Sequence, residues 1–118
     1  MSTPEGVVLK ACMQYLSLCG IFHFRNNTGG TPLHDGSGGY RPGPKSSIGS
    51  PDIIGIARER VSGEAFPLSV EVKSATGRQS PAQREFQRKW ERAGGFYLLV
   101  RSVEDLRKGL RDAGVEVR

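Results

Sequence analysis

The segment VEVKSATGRQSPAQ, from Val70 to Gln83, joins a strand pattern to the start of a helix. Side chains two residues apart on a β-strand point to the same face, so Glu71 and Lys73 share one face and the two valines share the other. Ser80 and Gln83 have the spacing of a capping box, which predicts that a helix begins there. An isolated acid–base pair of this kind is most often an exposed charge pair on a sheet, and only the rest of the chain can favour a functional interpretation.

The composition is that of a small soluble globular protein. The chain has 118 residues, of which 36% are hydrophobic and 25% charged, and its formal net charge is +5. This length predicts a single domain spanning residues 1–118. The sequence has no apolar run long enough to span a bilayer and no signal-peptide pattern, so we expect a cytoplasmic protein. The positive charge favours a polyanionic partner.

Two cysteines, Cys12 and Cys19, fall within the first predicted helix. Their spacing places the Cα atoms about 10 Å apart on a helix, which is too far for a disulfide. We expect both to be reduced thiols in the core. With only His23 and His34 in addition, the sequence contains no zinc-ligand spacing.

Hydrophobic periodicity predicts the element order α-β-β-β-α-β-α. Ser2 and Glu5 have capping-box spacing at the first helix, and the second helix would face the core through Phe86, Trp90 and Ala93. The third helix is expected after residue 102. The expected strands are 21–25, 52–58, 68–73 and 96–100, with a short final strand at 115–118.

The segment 26–50 differs from the rest of the chain because it is rich in Gly, Ser and Pro and lacks apolar periodicity. A loop of this length inside a small domain is usually mobile or functional. We therefore interpret it as a long glycine-rich loop within the single domain, leading directly into the strand that begins at Asp52.

Asp52, in GSPDIIGI, begins the strand that precedes the strand of Glu71. A hairpin between these strands would bring the two carboxylates together, where each raises the pKa of the other unless a cation offsets the repulsion. Mg²⁺ suits such a site because it takes oxygen ligands, keeps several waters and is typically held by one or two carboxylates with substrate phosphates. Lys73, on the face of Glu71, could then stabilise an attacking hydroxide or the charge on the phosphoryl group.

The chain resembles the VRR-NUC family (virus-type replication-repair nucleases) of the PD-(D/E)XK nuclease superfamily. The matching pieces lie in the family's order and are Glu5 in the first helix, FRNNTG at 24–29, GSPDIIG at 49–55, VEVK at 70–73 and SPAQ at 80–83. The resemblance implies an α/β, restriction-endonuclease-like core of order α-β-β-β-α-β, with a mixed central sheet flanked by helices.

The resemblance also implies roles for single residues. Asp52, Glu71 and the backbone carbonyl of Val72 would bind the metal, Mg²⁺ or Mn²⁺, and Lys73 would be the catalytic lysine. Gln83 would orient a water or phosphate near the site, although it is equally a capping partner of Ser80.

Glu5 would bind the metal through water or support Lys73, and its alternative is a capping contact with Ser2. Asn26 and Asn27 match a polar pair after the first strand and are equally turn residues. Arg41 and Lys45 in the loop, and Arg78 after the catalytic strand, are candidate contacts to the DNA backbone. The cations of the second helix are more typical of a solvated face.

Small stand-alone members of the family resemble junction-resolving enzymes of phages or bacteria, which implies a role in DNA repair or recombination in a bacterial or phage-infected cell. We therefore predict a metal-dependent DNA endonuclease that is structure-selective, similar to a Holliday-junction resolvase, and acts as a homodimer. The alternatives are a flap or restriction-type nuclease and a non-catalytic nucleic-acid-binding module that keeps a nuclease-like fold.

Overall fold

The structure, a computed structural model, describes residues 3–26, 31–37, 39–41 and 48–118. It contains three helices, α1 (Pro4–Leu18), α2 (Pro81–Arg92) and α3 (Val103–Asp112). The strands are β1 (Phe22–Arg25), β2 (Thr31–Pro32), β3 (Tyr40–Arg41), β4 (Ile53–Arg58), β5 (Ala65–Val72) and β6 (Phe96–Val100).

Four strands form one mixed sheet in the order β1-β4-β5-β6. The pairs β1–β4 and β4–β5 are antiparallel, whereas β5 and β6 are parallel. A parallel pair requires a crossover, and α2 supplies it. The fold is therefore α/β with a mixed sheet flanked by helices, as predicted.

The helices cover the two faces of the sheet unequally. On one face, α1 and α3 bury Cys12, Leu16, Leu106 and Leu110 against the even-numbered side chains of β5. On the other face, α2 lies over β5 and β6. Helix α2 has no fully buried residue. Its polar N-terminal turn contacts a polar group of the sheet, since Gln83 bonds to Glu71.

Several predicted local features are wrong. The N-cap of α1 is Thr3, whose Oγ1 accepts a hydrogen bond from the amide of Gly6, and Ser2 lies outside the described residues. Phe86 and Trp90 stack on each other and are only half-buried, and Ala93 is exposed as the C-cap of α2. The expectation that these three residues face the core is therefore wrong, and Trp90 Nε1 instead donates a hydrogen bond to the carbonyl of Phe96.

The strand boundaries also differ from the prediction. Strand β5 begins at Ala65, three residues before the predicted start, and pairs with β4 from there. The predicted strand at 115–118 is reduced to a single bridge between Glu59 and Val115. The segment 26–50, predicted to be entirely loop, contains the short antiparallel ribbon β2–β3.

Both cysteines are buried free thiols, in agreement with the prediction. Burial raises the pKa of Cys12 to about 11, so this thiol is protonated at neutral pH. Within the described ranges, no helix combines the length and apolar character needed to cross a membrane.

Candidate active site

The hairpin of β4 and β5 places Asp52 beside the end of β5. Asp52 directly precedes β4, and its Oδ2 accepts a hydrogen bond of 2.7 Å from the backbone amide of Val72. This bond holds the Asp52 carboxylate against the strand that carries Glu71. The two strands thus bring together the acidic residues of GSPD and VEVK.

The Glu71 side chain is buried, since the residue is only 3% exposed. Its Oε1 accepts a hydrogen bond of 2.9 Å from Gln83 Nε2 and lies 3.8 Å from the Nζ of Lys73. Its Oε2 is also buried and has no hydrogen-bond partner among the described residues. An exposed charge pair on a sheet, the common interpretation of such a motif, is therefore excluded.

A buried carboxylate without a partner for one oxygen is costly in its charged form. The pKa of Glu71 is raised to about 8, mainly by burial and next by the negative charge of Asp52, while the positive charge of Lys73 opposes the shift. The site thus holds two carboxyl groups whose joint ionisation is unfavourable unless additional positive charge is present.

We expect Glu71→Gln to stabilise the metal-free protein at alkaline pH. Because the pKa of Glu71 is raised in the folded state, the stability it contributes is complete below the unfolded pKa and is lost as pH rises to about 8. The variant should gain on the order of 3 kcal/mol in free energy of unfolding above about pH 8, and close to nothing below about pH 5.

Urea denaturation across this pH range, with chelator present, measures this difference. Glu64→Gln, in the exposed turn between β4 and β5, is the matched control and should show no such trend. A gain for Glu71→Gln that does not depend on pH would contradict the argument.

Glu5, at the start of α1, reaches the loop that follows β5. Its Oε1 accepts a hydrogen bond of 3.1 Å from the amide of Ser74. A cavity of about 170 Å³ lies beside it, lined by Glu5, Arg25, Asp52 and Val72 among others. Glu5 therefore faces the same cavity as Asp52, and among the described residues it forms no ion pair with Lys73. Ser2, the capping partner weighed for it, lies outside those residues.

Gln83 is the capping partner of Ser80, as weighed for it, and it also contacts Glu71. Its Oε1 accepts a hydrogen bond from the amide of Ser80, and its own amide bonds to Ser80 Oγ, which completes the capping box. Because Oε1 is held by the cap, Nε2 is directed at Glu71. The start of α2 thereby orients the buried carboxylate.

No protein-family model matches the sequence, and no curated protein matches it. A solved structure described as a VRR_NUC domain protein is similar to it, with a TM-score of 0.56 and 17% sequence identity. The match covers 96% of this chain and 89% of that chain. This chain has the fold of a VRR-NUC domain.

The predicted DNA-contacting residues lie in different parts of the VRR-NUC fold. Arg78 is exposed in the turn after β5, and Arg41 lies in β3. Asn27 and Lys45 lie outside the described residues. The Asn26 side chain turns inward, since its Nδ2 donates to Ser50 Oγ and to the carbonyl of Pro51, both at 2.9 Å. Asn26 thus holds the segment that leads into Asp52.

Two supporting residues of this VRR-NUC fold were not recognised in the sequence. Gly49 has a φ of +78°, and a Cβ placed on it would lie 2.3 Å from the carbonyl oxygen of Ala82 in α2. The Arg101 guanidinium donates to the carbonyls of Ser74 and Gly77, at 2.5 and 2.7 Å, and so braces the loop that bonds to Glu5. In the sequence, only its position in the GSPD segment pointed to Gly49, and no pattern pointed to Arg101.

Proposed function

We propose that this chain is a metal-dependent DNA endonuclease that hydrolyses phosphodiester bonds. The observation that supports this most strongly is the buried Glu71 carboxylate, which lies near Asp52 and Lys73 in a VRR-NUC fold and whose Oε2 has no hydrogen-bond partner among the described residues. A purely structural site would be expected to pair that oxygen or to replace the acid with a neutral residue.

The residues fit a hard divalent cation, Mg²⁺ or Mn²⁺. Side chains alone would not complete its coordination, because in the described part of the chain no group of three or more His, Cys, Asp and Glu side chains could hold a metal ion. Two carboxylates, the Val72 carbonyl, water and substrate oxygens are the ligands such a cation accepts. Asp52 and Glu71 would hold it directly, and Glu5 would act through water.

When bound, the cation would lower the pKa of a water molecule and neutralise charge on the phosphate. The residues of the chain prepare this chemistry. Gln83 fixes the orientation of the Glu71 carboxylate. The Nζ of Lys73, 3.8 Å from Glu71, supplies a positive charge where negative charge develops on the attacking and phosphoryl oxygens.

The test is incubation of the protein with hairpin, flap, linear duplex and four-way junction DNA, with Mg²⁺, with Mn²⁺ and with chelator. Cleavage in the presence of metal alone supports the proposal. Binding without cleavage under either metal would favour the non-catalytic binding module instead. The substrate that is cut fastest distinguishes a junction resolvase from a flap or restriction-type nuclease.

We also infer that the protein acts as a homodimer on branched DNA, in recombination or repair. Paired incision of a junction needs two active sites, and each chain supplies one carboxylate cluster. The sheet presents an apolar strip on the face that α2 leaves open, with Phe22, Phe24 and Ile56 exposed by 67%, 48% and 53%. These side chains expose on the order of 300 Å², the size of a patch that often marks an interface.

We expect sedimentation at micromolar concentration to show a two-chain species. Phe22→Glu should shift it to the monomer, because a charge at the centre of an apolar interface loses its solvation. Val61→Glu is the matched control, since Val61 is 85% exposed at the hairpin tip and lies off the strip. A wild-type monomer that still makes paired cuts would contradict the dimer.

A further inference from the structure

A groove between α1 and β1 leads away from the carboxylates. Its volume is about 530 Å³. It lies on the α1 face of the sheet, opposite the apolar strip of Phe22 and Phe24. The side chains that line it include Leu9, Lys10, Met13, Gln14, His23 and Arg25.

The groove adjoins the candidate active site. It shares Gly6, Leu9 and Arg25 with the cavity that contains Glu5 and Asp52. The two neighbouring cavities begin at the acidic end and follow α1. A molecule whose reacting group lies at Asp52 can therefore extend along α1 towards the groove with the part that flanks that group.

The lining of the groove is positively charged, whereas the neighbouring cavity contains carboxylates. The lining of the groove contains Lys10, Arg25 and His23 and, among the described residues, no Asp or Glu. Neither Lys10 nor Arg25 pairs with a described carboxylate. His23 Nδ1 donates to the carbonyl of Ile21 at 2.8 Å, and the fixed positive charge of the groove is that of Lys10 and Arg25. A polyanion fits the groove better than a neutral or cationic ligand.

The volume and the apolar lining of the groove indicate which class of polyanion it can bind. A volume of this order suits a small molecule or one to two nucleotides, and a double helix cannot enter it. Leu9 and Met13 offer an apolar surface for a base, and methionine adapts readily to planar rings. Cations that follow the backbone beside a surface that packs on bases are typical of sites for single-stranded nucleic acid.

We propose that this α1–β1 groove binds the unpaired nucleotides that flank the scissile phosphate. The inference rests on the proposed nuclease function and specifies its substrate: DNA with a single-stranded segment next to the cut. Arg25, which lines both cavities, would contact the phosphate next to the scissile one. Lys10, which lies further along α1, would contact the DNA backbone beyond that phosphate.

Binding of a fluorescent tetrathymidylate in the presence of chelator tests the groove without cleavage. Lys10→Ala/Arg25→Ala should weaken binding at least 10-fold, and Gln14→Trp, which fills the groove without changing charge, at least 5-fold. The control Lys108→Ala/Arg111→Ala removes two exposed cations of α3 outside the groove and should stay within twofold of wild type. Circular dichroism checks that each variant is folded.

Cleavage rates separate this proposal from the proposed function. If no DNA is cut under either metal but the groove variants lose oligonucleotide binding, the nuclease assignment fails and the groove stands. If wild-type protein cuts DNA while both groove variants bind and cut like the control, the groove assignment is overturned. Equal affinity of wild-type protein for blunt duplex and for the oligonucleotide would also overturn it.

Discussion

Asp52→Asn is expected to lower the rate of DNA cleavage by roughly 10³-fold or more, because one of the two carboxylates that we propose bind the metal is lost. The asparagine oxygen can still accept the hydrogen bond from the Val72 amide, so the end of β5 should keep its place. The loss should therefore appear in the chemical step, with DNA binding and thermal stability close to those of the wild type. Initial rates in Mg²⁺, gel-shift affinity and a melting curve measure the three quantities.

Asp112→Asn is the matched control, since Asp112 is an exposed acid at the end of α3. It makes the same change of charge far from the carboxylate pair and should leave the rate unchanged. Wild-type turnover by Asp52→Asn would remove Asp52 from the proposed metal site. A loss of rate that is matched by an equal loss of stability would assign Asp52 a structural role instead.

Gly49→Ala is expected to destabilise the protein by roughly 3 kcal/mol or more, from two combined effects. Gly49 has a φ of +78°, which side-chain-bearing residues rarely adopt, and its Cβ would lie 2.3 Å from the Ala82 carbonyl oxygen. Because that oxygen belongs to the backbone of α2, either the helix or the segment of Gly49 must move. Movement of α2 separates Gln83 from Glu71, and movement of the segment displaces Asp52, so cleavage should fall together with stability.

The same substitution at Gly63 isolates the contribution of the backbone. Gly63 also has a positive φ, of +75°, but a Cβ there meets nothing within 4 Å. Gly63→Ala should therefore cost only the conformational strain, about 1 to 2 kcal/mol. Urea denaturation of both variants gives the difference, which is the cost of the contact with α2. Equal losses at the two positions would show that this contact contributes nothing.

Local patterns in the sequence predicted the elements that carry the site. The Ser80–Gln83 capping box is present at the start of α2, and the alternation of VEVK gives the correct faces of β5. Alternation shows which side chains share a face but says nothing of what covers that face. The burial of Glu71 therefore followed only from the position of α2 in the structure.

The missed features depend on contacts between distant parts of the chain. The bond between Glu5 and the Ser74 amide joins residues 69 positions apart, and no local rule contains it. At α1, the Ser2–Glu5 pattern satisfied a capping rule, whereas the structure uses Thr3 with Gly6. Phe86 and Trp90 have the spacing of a core-facing stripe, yet both are only half-buried and stack on each other.

The dependence of Glu71 on α2 and β6 has a consequence for protein synthesis. A nascent chain that has emerged only as far as Lys73 contains both carboxylates, but β5 is still an edge strand and no Gln83 is present to orient Glu71. The parallel pairing of β5 with β6 requires residues 96–100 to leave the ribosome. Since chains emerge from the N-terminus, the environment of the carboxylate pair is completed only after α2 and β6 have emerged. A prematurely terminated chain would therefore carry the motif residues without an assembled site.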